Sequence, residues 1–530
     1  MKYVLFILIS FGFSFPPSFS LERSTEIIND GLPDNGIIDI EAISDTLIYF
    51  GTSSGLGRVD IDGDDKNFST VSSDNMPEGG NPALAIEKDI ISGEYIIAVS
   101  GVISYYSTVT ETNEPKGTGV AYSIDSGDTW KFMEQPIVEN PEEGLFHQIE
   151  WGGQTLQILA VTTAVNNVSY DLAIGEDYIY STSWAGGLQR FNHNDDVPLW
   201  EIIPLPMDDQ DTLICGEIDI DVYELNPKDP KDGGNHNHKG FSVFIEDEII
   251  FVGTADGINK GVIVDDCINW SHYNTSEGLS GNWVVGIDSG FASDNEDLRR
   301  LWVISWATLS TESTGLSYSY DNGVSWQYVN FFTDEGIKVY NLEISEDQIY
   351  ASTIEGLYVS VDGEHWELIP NFTDSTTGEM ILDDAVYTVH APDGSENIWV
   401  GTGDGLAIRE INGFVDIHRF WEATVKPSEG NFNFSVYPNP FYVKDHNVLD
   451  GSGHVRFVYN FESNGVISIY DFSMDHVVEL NNSHSAGFNG ESEIIWDGRN
   501  SRGSVVANGV YFCKLTANSQ DYWTKLVVVN

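Results

Sequence analysis

Gly315-Leu316-Ser317-Tyr318-Ser319-Tyr320-Asp321-Asn322-Gly323-Val324-Ser325-Trp326 is one of three copies of a pattern that decides the fold. The pattern is Gly-(Val/Leu)-x-x-Ser-x-Asp followed by a glycine and a tryptophan, and the other copies span 119–130 and 356–366. The aspartate of such a turn can accept backbone hydrogen bonds, and its glycine can adopt a positive φ. The copies therefore predict a repeated β-hairpin with these structural residues: Ser123, Asp125, Gly127, Trp130, Ser319, Asp321, Gly323, Trp326, Ser360, Asp362, Gly363 and Trp366.

A second, looser repeat covers most of the chain. It consists of an acidic or polar turn, an alternating apolar strand, a Gly-Thr or Ser-Thr pair and then Gly-Leu. Clear copies span 45–56, 246–258, 346–357 and 396–406, and weaker copies span 94–99, 176–182 and 301–305. The period of about 50 residues is that of a four-stranded unit. The sequence therefore predicts an all-β fold with a seven-bladed β-propeller over 21–425, and six or eight blades remain open alternatives.

The hairpins and the looser repeat carry two family resemblances. The hairpins resemble the Asp-box, or BNR repeat, of β-propellers. The Gly-Leu-Pro-x-Asn and Gly-Thr-x-x-Gly-Leu segments resemble the sensor propellers of two-component regulators. Both resemblances imply a propeller, but because the Asp-box residues hold a turn, they imply no particular chemistry.

The two ends of the chain indicate export. Residues 1–20 contain Lys2, an apolar stretch and Ser18-Phe19-Ser20 before Leu21, the pattern of a cleaved signal peptide. No later stretch has the roughly 18 apolar residues that a membrane helix needs, so we expect no membrane insertion. After a linker at 426–432, alternating strands predict a β-sandwich over 433–530.

The sequence motifs of this C-terminal domain are more specific than the alternation of apolar residues in its strands. Tyr-Pro-Asn-Pro-Phe at 437–441, Trp-Asp-Gly at 496–498, Asn-Gly-Val-Tyr-Phe at 508–512 and Lys-x-Val-Val-Val at 525–529 resemble the Ig-like C-terminal sorting domain of type IX secretion. That domain is related to the Ig-like module of flagellar hook-capping proteins. The resemblance implies a Gram-negative bacterium whose type IX machinery secretes the protein or attaches it to the outer surface. An ordinary Ig-like linker domain is the alternative.

The composition is strongly acidic, with 83 acidic and 24 basic residues and a net charge of −59 at pH 7. Residues 431–530 hold only 10 of the acidic and 6 of the basic residues, so the excess lies before them. The electrostatic field of such a negatively charged protein repels nucleic acid and anionic lipid. A solvated surface in salty water is the leading interpretation, and binding of Ca²⁺ or of cationic partners is the alternative. We expect a monomer that requires no cofactor, and a Cys215–Cys267 disulfide remains open.

Long insertions at 102–117, 133–167, 206–240 and 306–315 all fall on one face of the predicted propeller, around blades 2 to 5. Trp184 and Trp306 follow second strands on this face and, if exposed, offer stacking platforms for a ligand. The alternative is that both are wedges between blades. Trp151, Tyr105 and Tyr106 are further candidates from the insertions.

The sequence also suggests metal ligands. His236 and His238 are two residues apart and could reach one ion, and Asp219 and Asp221 could point the same way from a strand. A flexible polar loop is the alternative. The acidic run 60–65 lacks the glycine and distal glutamate of an EF-hand, so it predicts a blade hairpin with Ca²⁺ as an open alternative.

We therefore expect a secreted, surface-associated propeller that binds a glycan or an extracellular protein through the loops of blades 2 to 5. The alternative is an extracellular glycoside hydrolase of the Asp-box type, which needs two carboxylates roughly 5–10 Å apart. The abundance of acidic residues prevents the sequence from nominating that pair. We also expect residues 24–28 to complete the last blade as an outer strand.

Overall fold

The computed structural model describes residues 23–27, 31–108, 110–138, 146–291, 299–308, 312–345, 348–369, 372–377, 380–381, 383–392, 395, 397–410, 412–425, 434–437, 439–443, 454–459, 465–481, 484–485, 492–517 and 520–529. The predicted signal peptide and linker lie outside these residues.

Within 31–420 the described chain forms seven consecutive antiparallel meanders of four strands each. Strand β1 (Arg23–Ile27) precedes meander 1, which comprises β2 (Ile37–Ser44), β3 (Leu47–Thr52), β4 (Gly55–Asp62) and β5 (Asp65–Thr70). Meander 2 comprises β6 (Leu84–Lys88), β7 (Tyr95–Ser107), β8 (Thr112–Ser123) and β9 (Lys131–Met133), and β10 (Phe146–Trp151) and β11 (Gln154–Leu159) follow it. Meander 3 comprises β12 (Asp171–Ile174), β13 (Tyr178–Ser183), β14 (Gly187–Asn192) and β15 (Glu201–Ile203), followed by β16 (Thr212–Leu213) and β17 (Glu224–Leu225).

The second half of the ring has fewer insertions. Meander 4 comprises β18 (Gly240–Glu246), β19 (Ile249–Thr254), β20 (Gly257–Val264) and β21 (Cys267–Tyr273), and meander 5 comprises β22 (Trp283–Phe291), β23 (Arg299–Trp306), β24 (Gly315–Ser319) and β25 (Gln327–Tyr328). Helix α1 (Asn330–Glu335) precedes meander 6, with β26 (Val339–Ile344), β27 (Ile349–Thr353), β28 (Gly356–Ser360) and β29 (Glu367–Ile369). Meander 7 comprises β30 (Val386–His390), β31 (Asn397–Thr402), β32 (Gly405–Glu410) and β33 (Val415–His418), and β34 (Trp421–Val425) follows it. Single-turn 3₁₀ helices span Pro230–Asp232, His236–His238 and Thr275–Glu277.

The meanders are arranged as a ring. The first strand of each meander contacts the first strand of the next, and β30 contacts β2. Apolar cores lie between successive meanders, including the pair that closes the ring, where the rings of Phe50 in β3 and Trp399 in β31 are 6.0 Å apart. This cyclic packing of meanders is the architecture of a β-propeller, in which each sheet buries both faces against its neighbours.

The strands at the two ends of the ring-forming segment pair differently from the prediction that residues 24–28 form the outer strand of the last blade. Meander 7 takes its fourth strand, β33, from the chain directly after β32. Strand β1 instead pairs antiparallel with β34, with Arg23 opposite Val425 and Ile27 opposite Trp421. The prediction that residues 24–28 complete the last blade is therefore wrong, because β33 already occupies that edge.

The three repeated turns share one hydrogen-bond pattern. In the turn after β24, the Asp321 carboxylate accepts from the hydroxyls of Ser319 (2.8 Å) and Ser325 (2.6 Å) and from the backbone N–H groups of Val324 and Ser325. Gly323 adopts a φ of 81°, and its N–H donates to the Ser319 hydroxyl at 2.8 Å. Partial burial acts to raise the pKa of Asp321, but these donors outweigh it and lower the pKa to about 2. Trp130, Trp326 and Trp366 are all buried beside their turns.

The hydrogen bonds of the Asp321 turn stabilise the fold. We expect Asp321→Ala to lower the free energy of unfolding by about 2 kcal/mol, because several donors lose a charged acceptor at once. Denaturant unfolding of the variant measures this loss. Asp196→Ala, which removes an exposed aspartate from another loop, serves as the control and should unfold as the wild type does. Equal midpoints for the two variants would contradict a structural role for the turn.

The insertions around meander 3 fold together. Strands β10 and β11 form a hairpin, and β11 also pairs parallel with β17, so residues 146–159 and 224–225 share a three-stranded sheet. Strand β16 extends meander 4 by pairing with β21. A disulfide joins Cys215 to Cys267 in β21, with the Cα atoms 6.0 Å apart. The predicted insertion at 102–117 instead extends the β7–β8 hairpin, in which Val102 pairs with Gly117 and Ser107 with Thr112.

The C-terminal domain has two sheets around one core. Their strands are β35 (Phe434–Tyr437), β36 (Phe441–Tyr442), β37 (Val455–Tyr459), β38 (Val466–Tyr470), β39 (His476–Leu480), β40 (His484–Ser485), β41 (Ser492–Trp496), β42 (Gly509–Ala517) and β43 (Gln520–Val529). The sheet orders are β35-β37-β41-β40 and β36-β43-β42-β38-β39. Phe457 and Ile494 of the first sheet pack with Ile467 and Leu515 of the second. Among the described residues, no helix has the length and apolar character to cross a membrane.

Candidate functional site

A cavity of about 740 Å³ runs along the axis of the ring, where the first strands of the meanders meet. Its shape depends on a recurring β-bulge near the start of five first strands, at Ile38, Phe241, Val285, Tyr340 and Tyr387. A bulge inserts one unpaired residue and redirects its side chain. All five bulged residues line the cavity, so the bulges are the local feature that supplies its wall.

Seven aromatic residues line one end of the cavity, and we call them the aromatic collar: Tyr170, Trp184, Phe241, Trp283, Trp306, Tyr340 and Tyr387. Each lies at or just before the start of a first strand, or at or just after the end of a second strand, and these positions share one edge of an antiparallel meander. Trp184 contacts Phe241 and Trp283 with ring centroids 5.6 and 5.4 Å apart. Tyr340 contacts Trp306 at 6.1 Å and Tyr387 at 5.5 Å. The collar therefore presents two arcs of partly buried rings to the cavity.

Two lysines lie against the collar. Lys239 is 2% exposed, its ammonium is 4.8 Å from the Trp184 ring centroid, and it donates to Asp229 at 2.8 Å. Lys338 lies 3.5 Å from the Trp306 centroid, and burial lowers its pKa. No carboxylate of the described residues forms an ion pair with Lys338. One face of each tryptophan thus holds an ammonium group, as expected of cation–π contacts.

Six carboxyl residues line the cavity, of which Glu87 is exposed. The other five are partly buried in its interior: Asp39, Glu41, Asp171, Asp288 and Glu343. Three of them connect neighbouring meanders. Asp39 accepts from the Leu84 N–H at 2.9 Å, Asp171 from the Val243 N–H at 2.8 Å, and Glu343 from the Ala391 N–H at 2.9 Å. Each of these bonds joins a first strand to the next meander, within its first strand or directly after it, so these three carboxyls help to hold the ring together.

Glu41 and Asp288 do not connect meanders. Within the described residues Asp288 accepts only from the adjacent Ser289 N–H at 2.7 Å, and no hydrogen bond is formed by Glu41. Burial, followed by repulsion from Glu343, raises the pKa of Asp288 to about 8. The pKa of Glu41 is also raised, by burial and then by Asp39, Glu343 and the other two carboxyls.

The positive charge near these groups is small. Burial raises the pKa of Asp39 and that of Asp171 to about 7 each. His390 lies 3.2 Å from Glu343, and none of the five carboxyls forms an ion pair with a lysine or arginine of the described chain. The cavity therefore combines an aromatic entrance with an acidic interior that lacks a matching cation.

The structure brings together only part of the predicted site. Trp184 and Trp306 both line the cavity, and both also fit between meanders, since the Trp306 indole donates to the Val339 carbonyl at 2.8 Å. Tyr105 and Tyr106, 44% and 58% exposed, lie on the β7–β8 extension and do not line the cavity. Trp151 is 6% exposed and packs in the core that joins β10, β11 and meander 4. The prediction of Trp151 as a ligand contact is therefore wrong, because its ring is buried by the insertions.

The predicted metal ligands do not converge either. His238 is buried, and both ring nitrogens are used, since Nδ1 accepts from the Asn226 N–H at 2.9 Å and Nε2 donates to the Leu205 carbonyl at 3.1 Å. Burial lowers the pKa of His238 to about 4, which keeps it neutral. The Nε2 of His236 lies 3.5 Å from Asp229 instead. The prediction of His236 and His238 as a metal pair is wrong for these reasons.

Asp219 and Asp221 lie in a turn rather than on a strand, and the Asp219 carboxylate accepts from the Asp221 N–H at 3.2 Å. Both are exposed, so they do not line a shared site. In the part of the chain that the structure describes, no group of three or more His, Cys, Asp or Glu side chains is placed to hold a metal ion. The acidic run 60–65 forms the β4–β5 hairpin, with Asp62 opposite Asp65.

Sequence reasoning missed most of the cavity wall. The missed residues share a position in the first strands, which reads Val339-Tyr340-Asn341-Leu342-Glu343 in meander 6 and Val386-Tyr387-Thr388 in meander 7. Aligning the first strands of the repeats is the signal that could have found them. It would have placed an apolar or aromatic residue three positions before a carboxyl in meanders 1, 5 and 6.

Comparison with known proteins gives similarities of fold only. No protein-family model and no curated protein sequence matches the chain. Among solved structures, PorZ, an essential surface component of the type IX secretion system of Porphyromonas gingivalis, is similar at 12% identity with a TM-score of 0.38 over 93% of this chain, which spans 66% of that protein. The β-propeller domain of Cps50 (Swd1) from Myceliophteria thermophila is similar at 9% identity and a TM-score of 0.40, over 74% of this chain and 99% of that one. The extracellular domain of a putative hybrid two-component system of B. thetaiotaomicron is similar at 12% identity with a TM-score of 0.32. The match covers 93% of this chain and 78% of that one.

Proposed function

We propose that this chain is a secreted, cell-surface-associated protein whose seven meanders are the blades of a seven-bladed propeller. Its C-terminal domain is an Ig-like sandwich that directs export by type IX secretion, and its three repeated turns are Asp-boxes. The propeller binds a glycan at the aromatic collar, on the face that carries the insertions. The alternative partner for the same face is an extracellular protein.

The observation that carries the binding proposal is the collar itself. Partly buried tryptophan and tyrosine rings that border an open cavity provide flat apolar faces, which suit the carbon faces of sugar rings. The cavity volume of 740 Å³ is within the range of roughly 300–1,000 Å³ that small-molecule sites occupy. The insertion 206–240 reaches this entrance directly, because its Asp229 holds the Lys239 that lies on Trp184.

Substitution of the collar tests this proposal. We expect Trp184→Ala to weaken binding of a responsive oligosaccharide at least tenfold, because it removes a stacking face and loosens the contacts to Phe241 and Trp283. Titration calorimetry with the full-length mature protein, after an oligosaccharide array, measures the affinity. Tyr105→Ala removes an exposed aromatic residue outside the cavity and should bind as the wild type does. Equal loss in both variants would contradict a site at the collar.

The raised pKa of Asp288 supports a second candidate function, a glycoside hydrolase. A carboxyl with a pKa of about 8 is protonated at neutral pH, as a general acid must be, while other carboxyls serve as base or nucleophile. Release of reducing sugar from a bound polysaccharide, abolished by Asp288→Asn with binding retained, would establish the hydrolase. Binding without release supports the glycan-binding function.

A further inference from the structure

The two arcs of the aromatic collar differ in charge. In the arc of Trp184, the Lys239 ammonium donates to Asp229 at 2.8 Å, so this lysine is paired. In the other arc, the Lys338 ammonium lies 3.5 Å from the centre of the Trp306 ring and donates to no acceptor among the described residues. Lys338 is partly buried, and burial lowers its pKa. Because a desolvated charge is costly without a hydrogen-bonded partner, this arc carries a positive charge that the described chain does not compensate.

Two hydroxyl donors lie in the same arc as Lys338. The centre of the Tyr340 ring is 5.7 Å from the Lys338 ammonium and 5.5 Å from the centre of the Tyr387 ring. Both rings line the cavity and are partly exposed, and neither phenol hydroxyl forms a hydrogen bond within the described chain. Burial, followed by the charge of Asp383, raises the pKa of Tyr387 to about 12, so this hydroxyl is a donor at neutral pH. The arc therefore offers an ammonium group and two hydroxyl groups to an acceptor in a ligand.

The carboxylates nearest to this arc along the chain and in space do not neutralise it. Asp383 accepts from the backbone N–H groups of Ala385 at 3.0 Å and Gly403 at 3.1 Å, so it holds a turn. Glu343 follows Lys338 by five residues, which is roughly 16 Å along an extended strand. That separation is about twice the distance of about 8 Å over which physiological salt screens charges. The positive charge of the arc is therefore available to a ligand.

We propose that the collar binds a saccharide that carries an anionic group, a carboxylate or a sulfate, which Lys338 holds while the sugar ring packs against Tyr340 and Tyr387. This inference rests on the proposed glycan-binding function and adds the chemical class of the ligand. A hydrogen bond between an ammonium group and an anionic oxygen is roughly twice as strong as one between neutral groups. The two phenol hydroxyls donate to the same group or to neighbouring sugar oxygens. A neutral sugar leaves the ammonium uncompensated and binds more weakly.

The matched probes are a galacturonic acid hexasaccharide and its methyl ester, which keeps the sugar backbone and removes the charges. Calorimetric titration into the full-length mature protein, at about pH 7 and about 0.15 M salt, measures both affinities. We expect the acid to bind about tenfold more tightly than the ester, the effect of one hydrogen bond to a charged group. A sulfated carrageenan hexasaccharide, titrated in parallel, shows whether sulfate can replace carboxylate.

Variants of Lys338 assign the preference to this residue. Lys338→Met keeps an unbranched apolar side chain beside Trp306 but has no charge. It should bind the acid only as tightly as the ester, without loss of affinity for the ester, and a thermal melt checks that it folds. Lys338→Arg should retain most of the preference, because it returns a cation to the same ring. Lys131→Gln is the matched control, since Lys131 is an exposed lysine 5.5 Å from the Tyr122 ring and outside the cavity, and it should keep the full preference.

The outcomes separate this inference from the glycan-binding function. Equal affinity for acid and ester, with both weakened in Trp184→Ala, would keep the collar as a glycan site and overturn the anionic preference. Tighter binding of the sulfated probe than of acid or ester, lost in Lys338→Met, would support the inference with sulfate as the bound group. A preference reduced equally in Lys131→Gln and Lys338→Met would overturn the assignment to Lys338. Absence of binding for every probe would overturn both proposals.

Discussion

Replacing Cys215 and Cys267 together by serine is expected to lower the free energy of opening the insertion by about 4 kcal/mol. The disulfide closes a loop with a sequence separation of 52 residues, and the chain-entropy relation for a loop of this length gives that value. The loop contains β17 and residues 216–240 of the insertion, including Asp229, which accepts from the Lys239 that lies against the collar. The consequence is a less ordered entrance to the cavity as well as a less stable fold.

Limited proteolysis and thermal unfolding, each with and without reductant, measure this effect. The wild type should lose stability on reduction and become cleavable within 206–240, and the double serine variant should behave like the reduced wild type under both conditions. Cys513 is the matched control, because it is a buried free thiol in the C-terminal domain. Its conservative replacement, Cys513→Ala, should leave the response to reductant intact. A wild type that is indifferent to reductant would contradict the stabilising role of the bridge.

The ring itself was predictable from sequence for a local reason. Strand alternation, turn glycines and the Gly-Leu positions are read from residues close together in the chain, and seven repeats average out errors in any one of them. The hydrogen-bond partners of the turn aspartates, such as Ser319 and Ser325 for Asp321, lie within four positions, so a turn of this kind can be predicted from the local sequence.

The site was predictable only in part, because it depends on contacts between distant residues. Trp151 looked like a loop aromatic, yet it is buried by chain more than fifty residues away, including Ile218 and Leu225. His238 cannot bind a metal because its two ring nitrogens form hydrogen bonds with the backbone of Asn226 and of Leu205, and neither residue is adjacent to it in sequence. The bulges that turn Tyr340 and Tyr387 inward result from strand register, which no single strand encodes. Glu41 lies near carboxyls of other meanders only because seven first strands meet at one axis.

That convergence also gives the acidic interior a measurable effect on stability. Unfolded aspartates ionise near pH 4, whereas in the folded cavity the pKa is about 7 for Asp39 and for Asp171 and about 8 for Asp288. Between these values the folded state holds protons that the unfolded state has released. The free energy of unfolding therefore falls as the pH rises from about 4 to about 8, and below about pH 4 these groups cost nothing.

Asp288→Asn should remove the part of this pH-dependent loss of stability that comes from Asp288. The amide keeps an oxygen that can accept the Ser289 N–H and is never charged, so the variant should match the wild type near pH 4 and exceed it by on the order of 3 kcal/mol near pH 9. The full pKa shift converts to about twice that value, and the water-accessible cavity reduces it. Denaturant unfolding across this range is the measurement. Asp321→Asn provides the opposite sign: because the folded pKa of Asp321 is about 2, its stabilisation is present above about pH 4 and is lost as the pH falls towards 2. Parallel curves for wild type and Asp288→Asn would mean that Asp288 stays ionised in the fold, and the cavity would then already contain a compensating cation.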